Sequence, residues 1–204
     1  HSGGPEMIRK ARAVELMQGN NMPLPAVQIM LGHSTPSLTT SYVSFSADEI
    51  QEMTRLLIER EGSRKTSARN SFFGKIQTIQ KGDIQSGITL TTIDGHSIST
   101  VITNQSLDRL ALQEGRLITA EVKAPWVLLH RGEEPPECSA ENQFNGVIER
   151  INEGKVITEY TVRISDGSEL CAIISTKSSR RLFLGRGDRV WASFSCFAVV
   201  LHVD

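Results

Sequence analysis

The sequence predicts an α + β multidomain protein, in which a small all-α domain precedes two tandem copies of one small β module. Apolar residues before residue 62 recur at helical spacing, whereas those after residue 66 alternate in short runs rich in β-branched residues. The β half also matches itself without a gap when it is shifted by 72 residues, with 19 of 61 aligned positions identical. Such internal repetition is typical of a duplicated module.

The first domain, residues 5–62, is predicted to contain four helices. Two apolar stripes at 7–17 and 24–31 indicate the first two, and a proline in the first helical position starts the third at Thr35-Pro36. The fourth is indicated by a capping-box pair, Ser46 and Glu49, followed by apolar residues on one face at Ile50, Met53 and Leu57. The polar, Gly-containing stretch 61–70 then reads as a linker.

The β half divides into modules at 66–132 and 141–204, joined by an acidic, Pro-rich connection. Turn residues such as Asp94-Gly95 and its copy Asp166-Gly167 separate the predicted strands. The clearest strand patterns lie at 88–93, 97–103, 116–122, 159–164 and 190–194. A unit of about 60 residues is too small to be robust alone, so the two copies are expected to pack together, and with a second chain.

Bulk properties restrict the possible environments and partners. A net charge of −1 gives no overall attraction to nucleic acid or membrane, so any DNA affinity must come from a local patch. The three cysteines form no C-x-x-C pair, which argues against a disulfide framework or a metal site and fits the cytoplasm. No apolar run could span a bilayer. The start, "HSGGPEM", reads as tag residue or a fragment boundary, and the natural chain could extend further.

Four short sequence motifs in the β half carry a family resemblance: "SARN" at 67–70, "ITNQS" at 102–106, "LALQEG" at 110–115 and "VKAPWV" at 122–127. In this order and spacing they resemble the molybdate-binding Mop (TOBE) module in its paired form, as in ModE-type molybdate-responsive regulators. The resemblance covers roughly residues 66–204. It implies that each module is a five-stranded OB-like barrel, and that two chains interlock to bind tetrahedral oxyanions at their interface.

A molybdate or tungstate dianion only accepts hydrogen bonds, so its site must supply donors and positive charge. The resemblance implies the hydroxyl, cationic and backbone donors Ser67, Arg69, Thr103, Ser106, Lys123 and the N–H of Ala124. The second copy has Glu141 and Ser195 in place of Arg69 and Lys123, which suggests one strong site per chain. A weaker site is possible around Ser175, Lys177 and Ser178. The plainer alternative for such residues is a solvated strand face.

The helical half resembles the C-terminal part of the tyrosine recombinase (phage integrase) catalytic domain. The matching words are "MIRKARAVELM", "VQIMLGHST" and "TTSYV", which place Arg9, His33 and Tyr42 at the second arginine, the second histidine and the nucleophile. However, Glu6 stands where the family has a histidine, and the upstream arginine and lysine have no counterpart in this sequence. Because phosphodiester cleavage depends on such cations, we predict no catalytic residue and no enzyme activity.

The retained residues suit binding of DNA phosphates without chemistry. The predicted contacts are the basic cluster Arg9, Lys10 and Arg12 at the start of one helix, together with His33 and Tyr42. The alternative is that His33 and Tyr42 only cap and pack helices.

Taken together, the two resemblances predict a homodimeric, cytoplasmic transcriptional regulator whose binding to double-stranded DNA responds to tungstate or molybdate. One rival is a storage or buffering protein for the oxyanion, and a second is a recombinase fragment. The sequence does not separate the two oxyanions, because they have the same charge and shape. It is also silent on whether the ligand strengthens or weakens DNA binding.

Overall fold

The structure, a computed structural model, describes residues 45–63, 69–165 and 167–203. The first three predicted helices and the predicted DNA contacts Arg9, Lys10, Arg12, His33 and Tyr42 lie outside these residues. Within the described part of the chain, no helix is long and apolar enough to cross a membrane.

Helix α1, Ala47–Ser63, is the predicted fourth helix. The predicted capping box is present: the Ser46 hydroxyl accepts the N–H of Glu49 at 3.2 Å, and the Glu49 carboxylate accepts the N–H of Ser46 at 3.1 Å. Met53 is buried, and Glu49 forms an ion pair with Lys75 of the first strand at 2.9 Å. The predicted linker at 61–70 was wrong at both ends, because the helix continues to Ser63 and the first strand begins at Arg69. A glycine near a helix end costs too little to stop the helix there.

Module 1 comprises five strands, a short helix and a helical turn. Their bounds are β1 Arg69–Lys81, β2 Gln85–Thr92, β3 Ser97–Thr103, α2 Asn104–Arg109, β4 Leu117–Lys123, the first turn Ala124–Trp126 and β5 Leu128–Arg131.

Module 2 repeats these elements in the same order. Their bounds are β6 Asn142–Glu153, β7 Ile157–Ile164, β8 Glu169–Ser175, α3 Thr176–Leu182, β9 Arg189–Phe194, the second turn Cys196–Ala198 and β10 Val200–His202. The five predicted strand patterns all fall on strands. The long first strand of each module has a register shift at the same place, which lies between Ile76 and Thr78 in module 1 and between Ile148 and Arg150 in module 2.

The two modules exchange their last strands. The antiparallel sheets have the orders β10-β4-β1-β2-β3 and β5-β9-β6-β7-β8, so the fifth strand of each module completes the sheet of the other. For example, Leu201 of module 2 pairs with Ala120 of module 1. The five-stranded module implied by the resemblance therefore takes its fifth strand from the other copy, since neither sheet has five strands without the other module.

A single apolar core follows from this exchange. The buried cluster combines residues of both modules, and Phe72, Phe144 and Phe194 stack at its centre with ring centroids 5.8 to 6.0 Å apart. Phe72 and Phe144 occupy equivalent positions in the repeat. Burial of apolar area across the pseudo-symmetry axis thus stabilises both sheets at once.

The backbone requires glycine at two pairs of repeated positions, one pair because of its φ angle and the other because of a close contact. Gly115 and Gly187 have φ angles of +86° and +89°, in the left-handed region that favours glycine. A Cβ on Gly74 would lie 2.6 Å from the carbonyl oxygen of Thr91, and one on Gly146 would lie 2.7 Å from that of Arg163. The repeat of these glycines therefore reflects the repeat of one backbone.

Candidate anion-binding site

The exchange of β5 and β10 brings the turns of one module against the strands of the other. The first turn packs against β8, and the second turn packs against β3. We name these two contacts the first junction and the second junction. Each junction therefore combines residues from both modules.

A buried asparagine side chain forms two hydrogen bonds with the other module at each junction. The side chain of Asn70 donates to the carbonyl oxygen of Cys171 at 2.9 Å and accepts its N–H at 2.7 Å. Asn142 forms the same two bonds with Ser99, at 2.9 and 2.8 Å. Because β8 and β3 are edge strands, these amides satisfy backbone groups that face no neighbouring strand. The identical asparagines were visible in the repeat, but their partners were not.

The backbone positions of the two predicted cationic residues are paired beside the first turn. Lys123, the last residue of β4, is in register with Arg69, the first residue of β1. Lys123 is exposed, and the following residue, Ala124, is fully buried. The predicted backbone donor therefore lies directly beside the two cationic positions.

The predicted hydroxyl donors Thr103 and Ser106 lie at the end of β3. Thr103 caps α2, because its Oγ1 accepts the N–H of Ser106 at 3.1 Å, and its hydroxyl donates to Ser106 Oγ at 2.9 Å. The hydroxyl hydrogen of Ser106 remains available for an anion. In module 2, Ser175 caps α3 in the same way through the N–H of Ser178 at 3.0 Å, and Lys177 is exposed.

Within one chain, the predicted oxyanion residues fall into two groups. Lys123 and Ala124 lie at the first junction, where the neighbouring strand β8 ends at Ser175. Thr103 ends β3, the strand of the second junction, and Ser106 follows it. Ser67 lies outside the described residues. The chain alone thus separates the cationic group from the hydroxyl group.

The second turn contains a bond that the sequence analysis missed. An oxygen of the Glu141 carboxylate accepts the N–H of Cys196 at 2.8 Å. This bond lowers the pKa of Glu141, whereas burial and the neighbouring carboxylate raise the pKa of the Cys196 thiol. The sequence contained the signal, since Glu141 stands at the repeat position of Arg69. The glutamate was interpreted only as the loss of a cation.

Metal ligands are not clustered in the part of the chain described by the structure. No group of three or more His, Cys, Asp or Glu side chains there could hold a metal ion, and no disulfide joins Cys138, Cys171 and Cys196. The donors at the junctions are hydroxyl, amide and ammonium groups, which suit an anion rather than a cation.

Comparison with known proteins assigns the fold. Residues 66–129 and 138–201 each match the model of the TOBE domain. The chain belongs to the TOBE domain family. Each TOBE match ends inside an exchanged strand, so each sequence unit contributes four strands to one sheet and the fifth to the other.

Similar TOBE proteins include regulators and binding proteins. The chain is 34% identical over 140 residues to the DNA-binding transcriptional dual regulator ModE of Escherichia coli, covering 68% of this chain and 52% of ModE. It is 30% identical over 137 residues to the molybdenum-pterin-binding protein MopA of Rhodobacter capsulatus, covering 67% and 52%. The chain thus spans about half the length of these relatives.

A solved structure also matches the TOBE half. It is that of the cytoplasmic molybdate-binding protein ModG with molybdate bound, with 30% identity and a TM-score of 0.64. The match covers 69% of this chain and the whole of the ModG chain. The part of this chain that matches is therefore as long as the whole solved ModG chain.

Proposed function

We propose that this protein is a cytoplasmic, homodimeric transcriptional regulator of oxyanion uptake genes, and that it responds to tungstate or molybdate rather than acting as an enzyme. The oxyanion is held by Ser67, Arg69, Thr103, Ser106, Lys123 and the N–H of Ala124. The observation that carries this proposal is the register of Arg69 with Lys123 beside the buried N–H of Ala124. Membrane attachment has no part in it.

The first turn supports anion binding because, among the residues that the structure describes, no side chain caps the N–H of Ala124. Lys123 precedes the turn and provides no side-chain cap, because its ammonium group has no acceptor. An oxyanion beside Ala124 would accept that N–H and would lie next to the ammonium group of Lys123. Charge-assisted bonds of this kind are about twice as strong as neutral ones.

A second copy of the chain would bring the two donor groups together. Large apolar side chains beside the turns are exposed in the single chain: Trp126 at 61%, Leu128 at 53%, Phe197 at 69% and Val200 at 56%. Exposed apolar residues that are clustered in this way favour a protein interface. We therefore propose that Thr103 and Ser106 of one chain complete the cationic group of the other chain at the dimer interface.

Complementation tests this shared site. Chains with Lys123→Ala and chains with Ser106→Ala are each expected to bind molybdate weakly. A purified mixed dimer contains one intact site, built from Lys123 of one chain and Ser106 of the other, and should bind one molybdate per dimer at wild-type affinity. Failure of the mixed dimer to recover any site would place all the ligands within one chain.

The regulatory role rests on similarity to ModE and on the predicted DNA contacts Arg9, Lys10, Arg12, His33 and Tyr42. The test is a gel shift with promoter DNA of an adjacent oxyanion transporter gene, with and without tungstate or molybdate. A shift that changes with ligand is expected, and reversal of Arg9 and Arg12 to glutamate should abolish it. A chain that binds oxyanion but no DNA would contradict regulation.

A storage or buffering role is the second candidate. It is favoured by one observation, namely that the match spans the whole chain of the molybdate-binding protein ModG. The two roles differ in stoichiometry and in DNA binding. A buffer would take up several oxyanions per chain without a ligand-dependent gel shift, whereas a regulator needs only its gating sites.

A further inference from the structure

The two turns occupy equivalent positions in the repeat, but their backbone N–H groups differ in whether side chains of this chain accept them. In the second turn, the Glu141 carboxylate accepts the N–H of Cys196 at 2.8 Å, and Ser195 Oγ accepts the N–H of Phe197 at 3.2 Å. Both donors at the start of the second turn are therefore bonded to side chains of this chain.

The first turn has the opposite arrangement. Lys123, equivalent to Ser195, gives no side-chain cap, and Pro125, equivalent to Phe197, has no N–H to donate. The N–H of Ala124 is therefore the donor that this turn offers to a ligand. Its counterpart in the second turn is the N–H of Cys196, to which Glu141 is bound.

The position of Glu141 strengthens this contrast. In the repeat it corresponds to Arg69, so the second module has a carboxylate where the first has a guanidinium. The bond from Cys196 lowers the pKa of Glu141, and the group is ionised at neutral pH. A second anion at this place would lose its backbone donor and would face a like charge.

We propose that Glu141 is a built-in anion that occupies the oxyanion position of the second module and limits each chain to one bound oxyanion. Its carboxylate takes the backbone donor that an oxyanion would use. The hydroxyls that match Thr103 and Ser106 are still present in module 2 as Ser175 and Ser178. The second module therefore differs from a complete donor set only at Glu141 and Ser195. This inference rests on the proposed function for the site of module 1.

Counting bound molybdate tests the inference. Equilibrium dialysis of the full chain, with molybdenum quantified, is expected to give one molybdate per chain for the wild type. Glu141→Arg combined with Ser195→Lys reproduces the cations of module 1 and is expected to give two. Glu141→Ala, which only frees the N–H of Cys196, should add a second, weaker equivalent. Glu137→Ala removes an exposed carboxylate from the connection between the modules and should leave the count at one.

The outcomes separate this inference from the proposed site. Far-UV circular dichroism first confirms that each variant is folded. A wild type that binds two per chain, or folded Glu141 variants that both stay at one, would overturn the role of Glu141 while leaving the site of module 1 intact. If the wild type binds none and the double variant binds one, the role of Glu141 stands and the site of module 1 is refuted. Absence of binding in all variants refutes both.

Discussion

Module 1 and module 2 share a backbone and differ in the groups that their turns present. The residues before the two turns have nearly the same conformation, with φ and ψ of −70° and 138° at Lys123 and −68° and 148° at Ser195. Yet the first turn leaves the N–H of Ala124 without a cap, and the second bonds its own donors to Glu141 and Ser195. The comparison teaches that a duplicated scaffold can keep its fold while a few side chains decide which backbone donors each copy presents.

The largest expected effect tests whether the modules are energetically separate. Phe144 is buried and stacks on Phe72 of the other module at 5.9 Å. Phe144→Ala is expected to lower the free energy of unfolding by about 3–5 kcal/mol, since a large aromatic side chain leaves a cavity. Because the core is shared, urea unfolding should remain one transition by both circular dichroism and tryptophan fluorescence.

The control for this experiment is Phe183→Ala, at an exposed phenylalanine that follows α3. It should change stability by less than about 0.5 kcal/mol. Two resolved unfolding transitions in Phe144→Ala would show that the modules fold independently, contrary to the exchanged strands.

The next effect concerns the ligand. Lys123→Ala removes an ammonium group from the proposed site, and a bond to a charged group is worth about 1.5–3 kcal/mol. Molybdate affinity measured by calorimetry should therefore fall by roughly 10- to 150-fold. Ser195→Ala, at the equivalent place in module 2, should change it by less than about 2-fold. Equal losses in the two variants would mean that both modules bind the anion alike.

The strands and turns of this protein could be predicted from sequence because their causes are local. Alternation of β-branched residues, Asp-Gly turns and repeated positive-φ glycines at 115 and 187 all act within a few residues. The exchange of β5 and β10 was not predictable, since each strand has the same alternating pattern in either sheet. Only the packing of the complete chain decides which sheet it joins.

The candidate site likewise combines residues that the sequence identifies with contacts that only the structure shows. The family motifs identified Arg69, Lys123 and Ala124 as ligands, which stays a prediction, and the register of Arg69 with Lys123 is known only from the structure. The separation of Thr103 from them within one chain, and the bond from Glu141 to Cys196, depend on contacts between distant residues. Alignment of the two repeats identifies a substitution such as Glu141 in place of Arg69, but it does not show which atoms the new side chain contacts.

A smaller change in stability is expected at a buried pair of hydroxyl groups that module 2 contains and module 1 lacks. The hydroxyl of Tyr160 is bonded to that of Ser179 in the core, where module 1 has the apolar residues Ile88 and Leu107. Tyr160→Phe leaves the buried Ser179 hydroxyl unsatisfied and should cost about 1–3 kcal/mol in urea unfolding. Adding Ser179→Ala should recover part of this loss, because both partners are then apolar. A double variant no more stable than Tyr160→Phe would show that the two hydroxyls are not coupled.

The smallest effect is the pH dependence of the second turn. The folded-state pKa of Glu141 is lowered, mainly by the N–H of Cys196, so its stabilising contribution is present above the unfolded pKa of about 4.3. That contribution is lost as pH falls through the lower folded value. The midpoint of thermal unfolding should therefore be lower in Glu141→Gln than in the wild type at pH 7, and the two should converge as the pH falls through the folded-state pKa of Glu141.

Ser195→Ala is the matched variant, because it removes a bond from the same turn without a titrating group. Its difference from the wild type should stay nearly constant between pH 7 and pH 3. Convergence of Glu141→Gln together with a constant offset in Ser195→Ala would locate the charge dependence at Glu141 itself. If both variants converged, or if neither did, the carboxylate would not be the group that the Cys196 N–H stabilises. The second turn would then need another explanation for its difference from the first.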